Sequence, residues 1–152
     1  MTIYKQGDMW SVEQEVDHFI ITTNSFIKRN GALVMGAGIA KQLRNKHPGI
    51  DIEIGYTITS LTRPFDTQIR TYYGLILGTY YGMFQVKYHF KDPASLDLIK
   101  RSTKELQVHA ETNPTKKYAL NFPGVGNGKL AYELVKPVMD TLPDNVQVWT
   151  YP

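Results

Sequence analysis

Runs rich in β-branched and aromatic residues recur at His18–Thr23, Thr71–Tyr81, Met83–His89, Lys117–Phe122 and Val146–Tyr151, and each reads as a strand. Ile3–Lys5 reads as a short edge strand. Between these runs the apolar positions switch to helical spacing. A helix over Ile39–Lys46 follows a glycine turn and stops before Pro48-Gly49. A second covers Pro93–Glu111, with Asp92 at the N-cap and Pro93 at the first helical position. Its Leu96, Ile99, Leu106 and Ala110 form one stripe, away from Lys100, Arg101, Lys104 and Glu105. The third spans Leu130–Leu142, with Leu134, Val138 and Leu142 on one face. Pro137 lies inside it, and an interior proline costs a helix ~3 kcal/mol, so a bend or a late start is expected.

Strands alternating with helices predict an α/β sandwich with a mostly parallel or mixed sheet. No repeat, low-complexity tract or linker-like shift divides the chain, so residues 1–152 read as one domain. In open sheets of this kind ligands bind beyond the carboxyl ends of the strands. Two glycine clusters fall at such places. Gly36-Ala37-Gly38 lies between the run ending at Thr23 and the helix near Ile39, and Gly124-Val125-Gly126-Asn127-Gly128 precedes the helix near Leu130. Either cluster alone reads as a tight strand-to-helix turn. Two in matching positions favour a grip on two adjacent phosphates, because glycine admits close approach and the following helix presents free N–H groups.

The familiar phosphate motifs do not fit. Counting back from Gly128-Lys129, a Walker loop would need glycine where Pro123 stands and serine or threonine where Leu130 stands. A dinucleotide fingerprint begun at Gly36 and Gly38 would need glycine at Lys41.

Composition narrows the classes further. The 152 residues are 42% hydrophobic and 20% charged, ordinary values for a folded domain. With no cysteine there is no disulfide framework, thiolate metal site or cysteine nucleophile. His18, His47, His89 and His109 are widely spaced and lack ligand-like pairing with carboxylates, so no metal site is expected. No apolar run reaches the roughly 18 residues of a membrane span, and Met-Thr-Ile-Tyr-Lys lacks a signal-peptide core, which together predict a cytoplasmic protein that does not engage membranes. A net charge of +3 permits an anionic ligand or nucleic acid and demands neither.

Four stretches taken together resemble a macrodomain: Gly7-Asp8-Met9-Trp10, Ile20–Asn24, Val34-Met35-Gly36-Ala37-Gly38-Ile39-Ala40 and Asn121–Leu130. The resemblance runs from about residue 4 to the end and rests on order and spacing rather than on any one piece. It implies a three-layer α/β/α sandwich with a central mixed sheet, and ADP-ribose as ligand or product with no further cofactor. The branch it is most similar to holds the terminal ADP-ribose protein glycohydrolase and the antitoxins that strip ADP-ribose from thymidine in DNA. The features that favour this branch are the Val-Met-Gly-Ala-Gly-Ile-Ala loop, Phe84-Gln85-Val86-Lys87-Tyr88-His89-Phe90, and the C-terminal Val-x-Val-x-x-Tyr-Pro.

The resemblance carries roles onto residues of this chain. Asp8, followed by Met9, would accept a hydrogen bond from the adenine amino group, although an aspartate after a glycine is also a common turn cap. Asn24 would lie beside the distal ribose, where its amide donates and accepts; an Asx turn at a strand end accounts for it equally well. Met35, Gly36, Ala37, Gly38 and Ile39 would line the first diphosphate loop. Pro123, Gly124, Val125, Gly126, Asn127 and Gly128 would line the second. Tyr151 would pack near adenine; an ordinary strand aromatic accounts for it equally well.

The resemblance assigns the chemistry to Lys87. In the enzymes that the chain resembles, a lysine at this place approaches the anomeric carbon of the distal ribose, and a free amine forms an imine with the ring-opened aldehyde. Otherwise Lys87 is a solvated strand lysine, as most are. His89, two residues on, would share its strand face and tune or relay protons; otherwise it is a lone surface histidine.

The pattern also departs from the protein glycohydrolase, whose second loop carries an aspartate where this chain has Gly128. The antitoxins have glycine there too, within the Gly-x-Gly-Asn-Gly that Gly124–Gly128 reproduces, but commonly continue Leu-Asp-Trp where this chain has Leu130-Ala131-Tyr132. The expected function is therefore an ADP-ribosyl hydrolase acting as a monomer on modified protein or DNA, with Lys87 and Asn24 at the chemistry. The alternatives are a reader module that binds ADP-ribose without turnover and an ADP-ribose 1″-phosphate phosphatase. Arg63–Arg70 reads as a long loop that would meet nucleic acid.

Overall fold

The computed structural model describes residues 1–61 and 72–152. Six strands form one sheet: β1 (Ile3–Gln6), β2 (His18–Thr23), β3 (Leu75–Leu77), β4 (Tyr81–Gln85), β5 (Tyr118–Asn121) and β6 (Val146–Thr150). Their order across the sheet is β1-β6-β5-β2-β4-β3. All neighbours pair in parallel except β3 and β4, so the sheet is mixed, as expected. Four described helices cover it: α1 (Gly38–Lys46), α2 (Ile50–Leu61), α3 (Leu96–Thr112) and α4 (Tyr132–Met139). None of them is long and apolar enough to cross a membrane.

Alternating strand residues serve two cores, the pattern of a sheet covered on both faces. Ile20, Phe84, Tyr118, Leu120 and Val148 pack with Ile99, Leu106, Val135 and Met139 of α3 and α4. Phe19, Ile21, Met83 and Ala119 pack on the other side with Ala40, Leu43, Ile54 and Ile58 of α1 and α2. Three layers result, α/β/α.

Several predicted elements shift. The first long strand run shortens to β3, because Gly78 turns the chain and its N–H bonds Tyr81 O at 3.0 Å to make a β3–β4 hairpin; Thr71 lies outside the described residues. The next begins earlier and ends at Gln85 rather than His89. The α3 helix starts at Leu96, not Pro93, and Ser95 rather than Asp92 is its N-cap, with Oγ accepting from Leu98 N–H at 3.3 Å. The residues before it are drawn elsewhere: Ala94 N–H bonds Gly128 O at 2.9 Å and Ser95 N–H bonds Val86 O at 2.8 Å. The α4 helix does start late, and its core face is Val135 and Met139, one position on from the predicted stripe, leaving Leu134 49% exposed. Helix α2 was not predicted at all.

His18 supplies a pH-dependent contribution to stability. Its ring stacks on Tyr118 at 5.1 Å and meets His109 edge-on at 5.5 Å, while Nδ1 is buried without a partner. Burial first, then the His109 charge, hold its pKa below the ordinary imidazole value; Asp17 pulls the other way, and Lys116 adds the smallest downward push. The unfolded chain therefore binds this proton more readily than the folded one. Stability from this group is complete above the unfolded value of about 6.5 and is lost as pH falls below it. Thermal denaturation at pH 7.5 and 5.5 checks this: wild-type Tm should fall at the lower pH, and His18→Gln should flatten the difference.

Candidate functional site

The site begins where two parallel strands part. Strands β2 and β5 pair from His18–Tyr118 to Ile20–Leu120 and then separate. Asn121 fills the gap: its Oδ1 accepts from Thr22 N–H at 2.9 Å and its Nδ2 donates to Thr22 Oγ1 at 2.8 Å. The remaining strands lie β4-β3 beyond β2 and β6-β1 beyond β5, so the connections leave toward opposite edges. Such a switch point opens a crevice at the carboxyl ends. A cleft of about 790 Å³ lies there, lined by both glycine loops, by Asn24 and Lys87, and by Asp8, Trp149 and Tyr151.

The first loop is held from below. Asn24 Oδ1 accepts from Phe26 N–H at 3.0 Å, an Asx turn, and its Nδ2 donates to Val34 O at 2.9 Å. The bland use of Asn24 is thus present, and it also fixes the strand leading into the loop; the amide keeps a second N–H. Met35 is buried, and Ala37 caps α1 with no side-chain hydrogen bond. Its first-turn N–H groups therefore stand without a side-chain acceptor at the cleft wall formed by Gly38, Ile39 and Ala40. Gly38 itself requires glycine, at φ +58°.

Gly36 differs. Its φ is not positive, and among the described residues beyond its chain neighbours no atom lies within 4 Å of where a Cβ would stand. Neither backbone nor packing requires glycine there; what its absent side chain leaves is open cleft. Gly36→Val should accordingly keep Tm within a few degrees of wild type by thermal denaturation, while its side chain takes up cleft space.

The second loop turns through a 3-10 helix, Gly126–Gly128, closed by Leu130 N–H to Gly124 O at 2.8 Å. Gly124 adopts φ +83°, and a Cβ on it would stand 2.6 Å from Ile99 Cδ1. A Cβ on Gly128 would stand 2.9 Å from Ala94 Cβ. The segment ahead of α3 thus packs directly behind Gly128. The two loops converge, with Asn127 Nδ2 lying 3.5 Å from the Cβ position of Gly38.

Lys87 crosses toward the second loop, its Nζ donating to Asn127 O at 3.2 Å. His89 does not share its surroundings. The strand has ended at Gln85, and the His89 ring packs against Phe26 at 4.6 Å and Phe90 at 4.5 Å, outside the cleft lining. At the other end, Asp8 caps the 3-10 helix Met9–Val12, Oδ1 accepting from Trp10 N–H at 3.0 Å, and Gly7 N–H ties this turn to Thr150 O at 2.9 Å. Met9 and Tyr151 also line the cleft, Tyr151 78% exposed.

Of the predicted residues, Pro123, Gly126 and His89 fall outside the lining; Arg63–Arg70 lie outside the described residues. The sequence reading missed Trp10, Gln42, Thr22, Asn121, Phe90 and Trp149. Trp10 Nε1–H donates to Gln42 Oε1 at 2.6 Å, and its ring stacks on Phe19 at 4.7 Å. Trp10 and Asn121 stood within the recognised stretches, so a signal existed. Gln42, one turn along α1, carried none.

No family model and no curated protein matches the sequence. Solved structures do match. The macrodomain of Thermus aquaticus DarG superposes with a TM-score of 0.69 at 21% identity, over 100% of this chain and 98% of that one. The macrodomain of Mycobacterium tuberculosis DarG gives 0.65 at 24% identity, over 100% and 97%. This chain has a macrodomain fold. Thermosipho africanus DarTG in complex with ADP-ribose gives 0.69 at 17% identity, and there the macrodomain-like chain covers 97% of itself but 41% of the other protein. The crevice between β2 and β5 is therefore the crevice of a macrodomain scaffold, with this chain's own residues lining it.

Proposed function

We propose that this macrodomain binds ADP-ribose between its two glycine loops and hydrolyses it from a modified protein or DNA. One observation carries the proposal: the Lys87 amine reaches the second loop, 3.2 Å from Asn127 O, inside the cleft that both loops line. The complex of the similarly folded Thermosipho protein with ADP-ribose supports the choice of ligand. The diphosphate lies against the uncapped start of α1 and the Gly124–Gly128 turn, where N–H groups favour anions. Asp8 receives the adenine amino group on the carboxylate lone pairs that Trp10 N–H leaves over, with Tyr151 beside it. The second N–H of Asn24 meets the distal ribose.

The Lys87 amine attacks the anomeric carbon of that ribose and gives up a proton. The bond from this carbon to the target breaks and the target leaves with a proton. Ring opening gives an imine, and water then hydrolyses it, returning the amine and free ADP-ribose. The cleft also suits a large two-ended ligand in size, since pockets of 300–1,000 Å³ typically hold small molecules.

A second reading has its own observation. The contact between Gly128 and Ala94 leaves no space for an acid at that point, and without one the domain would retain ADP-ribose as a reader. Incubation with ADP-ribosylated thymidine DNA and with glutamate-ADP-ribosylated protein separates the two. Free ADP-ribose at catalytic protein levels establishes the hydrolase and names its target, whereas binding without release establishes the reader.

A further inference from the structure

Lys87 is held at two ends. Its amine rests on Asn127 O, and its own backbone carbonyl accepts a hydrogen bond from Ser25 Oγ at 2.7 Å. Ser25 is 3% exposed and sits just past β2, two residues after Thr23, whose carbonyl accepts from Val86 N–H at 2.8 Å. Val86 O in turn accepts from Ser95 N–H at 2.8 Å. The strand itself has stopped at Gln85, so beyond Val86 no ladder partner holds the chain that carries the amine. The Ser25 hydroxyl replaces it. Its neighbour Asn24 simultaneously clamps the first glycine loop through Val34 O. One short segment therefore ties the lysine and a diphosphate loop to the same strand end.

We infer that Ser25 is a positioning residue: its buried hydroxyl sets the backbone of Lys87 so that the amine meets the anomeric carbon. The inference rests on the proposed ADP-ribose site. Ser25 does not line the cleft, and hence touches no ligand. Removing its hydroxyl leaves the Lys87 carbonyl without this donor and lets the segment swing. Misplacement of a reacting group by about 1 Å lowers rates by up to about a hundredfold without weakening contacts made elsewhere in the site.

The test uses free ADP-ribose and cyanoborohydride, which reads the lysine position without needing turnover. The open-chain aldehyde condenses with the Lys87 amine, losing water to form a C=N bond, and hydride from cyanoborohydride reduces it to a stable secondary amine. Peptide mass spectrometry gives the labelling rate at Lys87, and calorimetry gives the ADP-ribose Kd. Ser25→Ala should label at least tenfold more slowly with Kd changed less than threefold, and Ser25→Thr, which keeps the hydroxyl, should recover most of the rate. Circular dichroism melts confirm that each variant is folded under the assay conditions. Equal labelling of wild type and Ser25→Ala overturns the role of Ser25 alone. Binding of ADP-ribose with no label on wild-type Lys87 overturns it together with the lysine mechanism, and no binding at all overturns both with the site.

Discussion

Lys87→Ala is expected to abolish ADP-ribose release, a loss of roughly a thousandfold or more, while ADP-ribose itself still binds within about threefold of wild type. The asymmetry follows from where the lysine is anchored. Its amine makes one hydrogen bond, to Asn127 O, and the two glycine loops are held by other groups: Asn24 on Val34 O, and Ala94 N–H on Gly128 O. Truncation removes the nucleophile and leaves both loops in place. One partly exposed hydrogen bond contributes about 0.5–1.5 kcal/mol, so Tm should move by only a few degrees. Release kinetics and titration on the same preparation check the pair. Unchanged turnover in the variant would remove Lys87 from the mechanism, and a loss of binding equal to the loss of turnover would make it a ligand anchor instead.

Gly55→Ala should be the most destabilising single-methyl change, costing about 3 kcal/mol, a large share of the 5–15 kcal/mol that holds an ordinary domain together. In an exposed helix interior the same substitution gains up to about 1 kcal/mol. The sign reverses here because α2 lies directly on the loop that leads into the first glycine cluster. A Cβ on Gly55 would stand 1.9 Å from Gly31 O, 2.9 Å from Gly31 C and 3.1 Å from Leu33 N, all backbone atoms. No rotamer change relieves such a contact; the helix or the loop must move. The loop is further tied to α2 by Leu33 N–H on Asp51 O at 3.0 Å, so displacement would carry toward Met35 and Gly36 and weaken ligand binding as well. Urea denaturation gives the stability change, with Ile52→Ala on the exposed side of the same helix as a control. A stabilised Gly55→Ala would mean that helix and loop do not touch as described.

That helix is also where the sequence misleads most. Ile50, Ile52, Ile54, Tyr56 and Ile58 alternate with polar residues and glycine, a strand-like period. The buried set is only Ile50, Ile54, Gly55 and Ile58, which is helical; Ile52 and Tyr56 are exposed apolar residues that hide it. The same effect displaces the core face of α4, where exposed Leu134 stands next to buried Val135. By contrast β2, β5 and β6 were legible because their apolar runs face two cores at once, and the glycine loops because each follows a strand and precedes a turn or helix. The site divides the same way. Gly38, Gly124 and Gly126 announce themselves through residue type, since positive φ selects glycine. What holds Lys87 is a backbone carbonyl and a buried serine far off in sequence, and the filler behind Gly128 is an alanine; none of these has a signature in the chain alone.

As proposed, the crevice between β2 and β5 is an ADP-ribose site in which the distal ribose, beside Asn24 and Lys87, contributes to binding. Calorimetric titration of the wild-type chain with ADP-ribose and with ADP tests it most directly. ADP-ribose should bind saturably at one site per chain, at least tenfold tighter than ADP, which corresponds to about 1.4 kcal/mol from the distal ribose contacts. Equal affinity for the two ligands, or no binding of ADP-ribose, would contradict it.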